Sequence, residues 1–324
     1  MKPALSCLLA ASLVALAVSP IAAHSQAWPN KTIKLVVPFP PGGGTDAFAR
    51  PLAAKLSQQL GQQVIIDNRG GAGGTIGADV VAKSAPDGYT FLVGAVHHTV
   101  AVSVYKKLPY DLDKDLAPVT GVAYVPDVIV VNPRVPAKSI AELIAYSKAN
   151  SNKVNYGSSG NGTTRHLAGE IFNRMTGTSM QHVPYKGSGP AMTALLGGEI
   201  DLIFEGLGSA ASHMRADKIR ALAVTSPKRS PAFPEIPTMA EAGVPGFESL
   251  SWYGIWAPAG TPVAVLERMQ VEVKAALGSP ELAGIWKQQG AEPGGEPRAQ
   301  FGAYVRAETE KWGKVARELK VTAD

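Results

Sequence analysis

The chain has 324 residues, with 31 Lys and Arg against 26 Asp and Glu and a formal net charge of +5 at pH 7. The excess is mild and spread along the chain, with no Lys/Arg cluster interleaved with aromatics, so a nucleic-acid footprint is excluded, while an anionic small ligand suits it. A single cysteine excludes a disulfide scaffold and any cysteine-based metal site.

Lys2 is the only charge in the first 27 residues, and an apolar run follows it from Leu8 to Val18. Pro20 breaks the run, and Ser25-Gln26-Ala27 fits a small-x-small cleavage site. The run is too short to span a bilayer as a stop-transfer helix, so a secretory signal peptide over 1–27 and a mature start at Trp28 are expected. Cys7 precedes the apolar run rather than following it, which argues against a lipid anchor. The expected product is exported, in the periplasm.

Short β-rich runs then alternate with helical patterns. Strands are expected at Ile33–Val37, Val64–Asp67, Thr90–Val93, Val128–Val131, Lys153–Tyr156, Ile200–Phe204 and Arg220–Thr225. Helices are expected at 46–60, 74–83, 139–149, 163–176, 189–197 and 208–216. Phe48, Leu52 and Leu56 recur at i+4 in the first helix, as do Leu167, Ile171 and Met175 in the fourth. Pro51 falls near the end of the first helix's opening turn, where it is tolerated. Alternation of this kind predicts parallel α/β sheets. It comes in two blocks, 28–124 and 125–228, read as lobe 1 and lobe 2. The Pro-rich and then helical remainder, 229–324 (helices at 263–277, 280–288 and 298–318), lacks its own strand set and is expected to pack back on lobe 1.

Two glycine-rich turns stand between a strand and a helix: Pro38-Phe39-Pro40-Pro41-Gly42-Gly43-Gly44-Thr45-Asp46 and Tyr156-Gly157-Ser158-Ser159-Gly160-Asn161-Gly162-Thr163-Thr164-Arg165-His166. A helix N-terminus carries unpaired N–H groups and about half a positive charge, so each turn forms an anion cup. Glycine lets the backbone approach a ligand, and Thr45, Ser158 and Thr163 add hydroxyls. Two cups this far apart in sequence predict two lobes gripping one anion.

With these turns the chain resembles the Bug-type extracytoplasmic solute receptors of the tripartite tricarboxylate transporter system. The resemblance runs through Trp28-Pro29, Asp67-Asn68-Arg69 with Gly71-Ala72-Gly73-Gly74, Pro86-Asp87-Gly88-Tyr89-Thr90 and Tyr105-Lys106-Lys107-Leu108-Pro109-Tyr110-Asp111. It continues through His166-Leu167-Ala168-Gly169-Glu170, Pro184-Tyr185-Lys186-Gly187, Ala221-Leu222-Ala223-Val224-Thr225 and Ala257-Pro258-Ala259-Gly260-Thr261-Pro262. It implies a two-lobed, type II-like periplasmic-binding-protein fold that closes on a small carboxylate without a catalytic step. It also implies delivery to membrane permease subunits or to a sensor, with no cofactor or metal; a monomer is expected. The cups, with ordered water, would hold one carboxylate, a role that falls on Phe39, Gly43, Gly44, Thr45 and Asp46 in one lobe and on Ser158, Asn161, Gly162 and Thr163 in the other.

The sequence departs from the family pattern in two places. Glu205 stands where many relatives have Asp, and Ala95-Val96-His97-His98-Thr99 replaces a small hydroxyl-rich run. Both positions are expected at the far end of the ligand, with Tyr185 and Trp252. A bare Glu205 carboxylate would repel a second ligand carboxylate, which points to a monocarboxylate with an aromatic or polar tail.

Other readings bear on the same residues. Gly42-x-Gly44-x-x-Ala47 with Asp67 matches a dinucleotide fingerprint, but three prolines crowd the turn and an exported oxidoreductase has little access to its cofactor. An exported hydrolase could use Ser158 or Ser159 with His166, yet no Gly-x-Ser-x-Gly elbow is present. His166 reads better as a support for the second cup. His97 and His98 would point apart in a strand, which argues against a metal pair. Arg165 and Arg69 could reach an anion, although loop arginines are usually solvated.

Overall fold

The computed structural model describes residues 28–323, so the expected signal peptide over 1–27 lies outside it. No helix among the described residues is long and apolar enough to cross a membrane. The chain opens with β1 (Ile33–Val37), α1 (Gly44–Leu60), β2 (Val64–Asn68), α2 (Thr75–Ala82), β3 (Thr90–Ala95) and α3 (His97–Val104). Next come β4 (Leu116–Val131), α4 (Ile140–Ala149), β5 (Asn155–Ser158), α5 (Thr164–Thr176), β6 (Gln181–Pro184), α6 (Ser188–Gly197), β7 (Leu202–Gly206), α7 (Leu207–Arg215) and β8 (Arg220–Val224). The chain ends with β9 (Leu250–Pro258), α8 (Val263–Leu277), α9 (Pro280–Gln288), β10 (Glu292–Pro293) and α10 (Arg298–Leu319).

The strands run β2-β1-β3-β9-β4-β7-β5-β6, with β8 and β10 also on β4. β1 pairs in parallel with β2 and β3, and β5 with β6 and β7, as strand–helix–strand units require. The two parallel sets form two half-sheets, each carrying helices, and β4 runs through both. Its 116–126 stretch pairs antiparallel with β9, and its 127–131 stretch pairs with β7 and β8. This makes an α/β fold of two lobes joined through one long strand.

Only the last four residues of β4, Val128–Val131, were expected, and the strand extends N-terminally through Pro118 and Pro126. The strand tolerates proline by slipping register between Pro118 and Thr120 and again between Gly121 and Ala123. β9 and β6 were also missed, and β9 returns the chain from the second lobe to β3. Pro51 sits inside α1, not in its opening turn, because the helix already starts at Gly44.

The expectation of His97 and His98 in a strand is corrected: β3 stops at Ala95 and both histidines open α3, with ring centroids 4.0 Å apart. The β-branched run of α3 reads as strand locally. Its Val100 and Val104 are buried with Trp312 and Ala316 of α10, and that packing overrides propensity. Below this layer Glu308 accepts both the Trp252 and Trp312 indole N–H groups, at 3.1 and 3.0 Å.

Candidate functional site

Between the lobes lies a small cavity, about 20 Å³, roughly the room that one ordered water needs. Its lining comes from the ends of four strand–helix units and from β9: Phe39, Gly43, Gly44 and Thr45; Ala95, Val96 and His97; Ser159 and Arg165; Ser188; and Ser251 with Tyr253. α1, α3, α5 and α6 thus all turn their N-termini to one point. None of the four has a side-chain cap; α2, α7, α8 and α10 lack one as well, and α4 and α9 are capped by Ser139 and Ser279. Uncapped N-termini leave N–H donors and positive dipole ends directed at the cavity. The arrangement attracts an anion.

The other polar layer is a buried charge cluster. Arg165, in the first turn of α5, places Nη2 at 2.7 Å from Glu205 Oε1 and 3.5 Å from Ser251 Oγ. The same Glu205 oxygen accepts from Gly206 N at 2.9 Å and Ser209 Oγ at 2.7 Å. Asp127 accepts from Ser249 and Ser251, both at 2.5 Å. Burial opposes the Arg165 charge, but Glu205, Tyr253 and Asp127 overcome it and hold the guanidinium protonated. Burial pushes the Asp127 carboxyl up against the pull of Arg165 and the two serines. Burial also pushes the Tyr253 phenol up to about 12. His97 is held well below the usual imidazole range by burial, by His98 and by Arg165, so it is neutral.

Of the residues expected at the ligand, Phe39, Gly43, Gly44 and Thr45 line the cavity. Gly44 must lack a side chain, because a Cβ there would fall on the Tyr253 hydroxyl. Asp46 turns away. It accepts from Arg50 Nε at 2.7 Å, Asn68 Nδ2 at 3.1 Å and Gly42 N at 3.1 Å, and so shapes the proline-glycine turn from behind. Burial raises its carboxyl, but these bonds outweigh burial and leave it below its usual value.

The second turn is built by Ser158, Asn161, Gly162 and Thr163, but its residue in the cavity wall is Ser159. Ser158 Oγ lies 2.6 Å from His182 Nε2 and 3.1 Å from Gly160 O, and Thr163 Oγ1 donates to Gly160 O at 2.8 Å. Both hydroxyls therefore brace the turn. His166 Nδ1 accepts from Gly162 N at 3.1 Å and its ring stacks on His182 at 3.9 Å, a support for the cup. Asn161 is exposed on the rim, with its carbonyl 3.4 Å from where a Gly73 Cβ would stand. Ser158 is 1% exposed, so the Ser158–His182 contact offers no accessible nucleophile.

The far-end expectations change most. His98 is fully buried behind the wall, with Nδ1 3.1 Å from Tyr110 Oη, and His97 takes the wall position instead. Trp252 points into the core, because on a strand its neighbours Ser251 and Tyr253 share the opposite face. Tyr185 is half-buried against the core beneath β5 and is not in the cavity lining. Glu205 is not bare, since Arg165 neutralises it. The argument that it repels a second carboxylate therefore falls. Sequence reasoning missed Ser188, Ser251 and Tyr253 as wall residues, and it raised Arg165 and His97 without assigning them to the wall. For Arg165 a signal existed: a cation in the first turn of a helix opposes the dipole and needs a local reason.

A family model described as "Tripartite tricarboxylate transporter family receptor" matches residues 48–321. Protein BugT of Bordetella pertussis (strain Tohama I) is 40% identical over 315 residues, which is 96% of this chain and 97% of BugT. A solved R. palustris protein with adipate has a TM-score of 0.88 and 40% identity, covering 91% of this chain and 99% of that one. MatC from Rhodopseudomonas palustris with bound malate has a TM-score of 0.84 and 32% identity, covering 89% of this chain and 99% of that one.

Proposed function

The chain belongs to the tripartite tricarboxylate transporter receptor family, and we propose that it is an exported receptor that closes its lobes on a small carboxylate in the periplasm. It passes that solute to membrane permease subunits, acts as a monomer and performs no catalytic step. The observation that carries this reading is the convergence of four uncapped helix N-termini on one interlobe cavity. They suit one ligand carboxylate, held by backbone N–H groups of the Gly43–Thr45 and Ser159–Thr163 turns. The adipate and malate in the two solved relatives support a carboxylate here. The lobes are 28–124 with the returning 250–324, and 125–249, with β4 and β9 as the passage between them; the expected return of 229–249 to lobe 1 is corrected, because Met239, Val244 and Phe247 pack into the lobe 2 core with Phe172 and Phe204.

The seams around the cavity suit lobes that open and close. Gly43 faces Ser188 and Gly160 faces Gly73, each within van der Waals reach of an added methyl, and Gly189 faces Pro41 more closely than an added methyl would allow. A hinge that parts these seams admits the solute and then excludes water from it. Native mass spectrometry of receptor purified without refolding, followed by calorimetry with the acid found, tests the reading. The expected result is a co-purifying carboxylate whose binding lowers the radius of gyration. A receptor that binds no carboxylate would overturn it.

A further inference from the structure

The cluster behind the cavity wall sets two buried carboxylates, Glu205 and Asp127, against the single guanidinium of Arg165. The two acids differ in their partners. Glu205 Oε1 is held by groups that can only donate, Arg165 Nη2 and Gly206 N, besides the Ser209 hydroxyl, so it stays ionised. The Asp127 carboxyl is held by two hydroxyls, Ser249 Oγ at Oδ2 and Ser251 Oγ at Oδ1. A hydroxyl rotates to donate or to accept, so these bonds suit a carboxylate and a carboxylic acid equally. Thr225 fixes the Asp127 backbone where β4 passes between the lobes: Asp127 N donates to Thr225 Oγ1 at 3.0 Å, and Thr225 N donates to Asp127 O at 2.9 Å. The charged and titratable groups acting on the carboxyl are Arg165 from α5, Glu205 from β7 and Tyr253 from β9.

Ser251 links this acid to the cavity, because it also lines the wall. While Asp127 is ionised, the Ser251 proton is committed to it, and Ser251 turns only lone pairs to the cavity. A solute carboxylate would then meet lone pairs backed by two carboxylates against one guanidinium, which disfavours it.

We propose that binding of the solute carboxylate draws one proton from solvent onto Asp127 Oδ1, which then donates to Ser251 Oγ and frees the Ser251 O–H to donate to the solute. The inference rests on the carboxylate-receptor reading. Asp127 is a positioning residue that acts on the solute through Ser251. Burial already pushes its carboxyl up, and Glu205 adds to this against Arg165 and the two serines. A further anion in the cavity raises it again. A group whose pKa rises on binding takes up protons, so affinity tightens as pH falls from its value in the complex to its value in the free receptor. The solute's own carboxyls, ordinarily near about 4, stay ionised above about pH 6 and do not contribute.

The test is calorimetry on the mature receptor with adipate, malate, succinate and benzoate as probes. The tightest binder is then titrated between about pH 6 and 8 in PIPES and in imidazole, whose ionisation enthalpies differ, so that the buffer dependence of the heat counts protons. Wild type should take up as much as about one proton per solute, with Kd tightening by up to about tenfold per pH unit as pH falls. Asp127→Asn, neutral at every pH, should abolish the uptake and leave Kd flat with pH. Ser251→Ala should lose about tenfold or more at pH 6 and little at pH 8, because Ser251 donates only when Asp127 is protonated. Melting curves report folding, and where Asp127→Asn does not fold the pH dependence of Ser251→Ala decides. A Ser251→Ala loss equal at both pH values, the mark of a merely structural role, overturns the inference. Uptake that survives Asp127→Asn overturns it as well; if it then disappears in His97→Gln, the proton belongs to the imidazole that faces Arg165 from α3. Tight binding without proton uptake overturns the inference and leaves the receptor reading intact, whereas a receptor that binds none of these acids or any other carboxylate ends both.

Discussion

Gly189 is the second residue of α6, and a Cβ added there would stand 2.7 Å from the carbonyl oxygen of Pro41 on the other lobe. Ordinary contact begins near 3.4 Å, so closure would have to stop roughly 0.7 Å short along this rim. The obstacle is backbone, which cannot rotate aside as a side chain would. Overpacking of this kind costs about 1–3 kcal/mol. The contact exists only with the lobes together, so the cost falls on the closed, ligand-holding state. At about 1.4 kcal/mol per tenfold, Gly189→Ala should raise Kd about 5- to 150-fold. The open state is not harmed, because alanine suits a helix better than glycine by up to about 1 kcal/mol. The assay pairs calorimetric Kd and ligand-dependent compaction in small-angle scattering with a melting curve of the free protein. Gly284→Ala, where an added Cβ meets nothing within 4 Å, is the control. Wild-type affinity and full compaction in Gly189→Ala would refute the assignment of this seam to closure.

Burial and the neighbouring His166 hold the His182 imidazole down to about 3, against an ordinary value of about 6.5. The unfolded chain therefore binds a proton that the folded chain does not, and stability should fall as pH drops from about 6.5 toward 3. Denaturant midpoints between pH 7 and 4 should show this slope, and His182→Asn should make it shallower, the remainder coming from His97, His98 and His166, which burial also holds down. Glu308→Ala strands two buried indole N–H groups, those of Trp252 and Trp312, at roughly 1–3 kcal/mol each. A chemical denaturation curve should shift accordingly, and an unshifted midpoint would show that the pair finds other acceptors. Gly44→Ala drives a methyl onto the Tyr253 hydroxyl and should weaken ligand binding more than Thr45→Ser does. Equal affinities for those two variants would remove Tyr253 from the binding wall.

Local pattern was enough to locate most of the elements and the two cups. Apolar repeats at i+4 mark α1 and α5, short β-branched runs mark β1 and the end of β4, and glycine-rich stretches mark the turns. All of that information lies within a few residues of each position. The family was legible for a related reason, because its motifs are the turns themselves. What needed the tertiary structure was every assignment decided by a distant partner. β4 exceeds its local signal because β9 pairs along its proline-bearing half, and α3 is a helix because α10 buries its valines. A one-residue change of face puts Ser251 and Tyr253 in the wall and Trp252 in the core, and a one-residue step around α3 exchanges His97 for His98. The charge of Glu205 could not be judged without Arg165, forty positions earlier in the chain. That pair in turn depends on β9 and the Asp127 stretch of β4 coming together. Periodicity and turn chemistry act over one or two turns of chain. Burial, strand pairing and ion pairing act over distance in space, and only the folded structure brings those residues together.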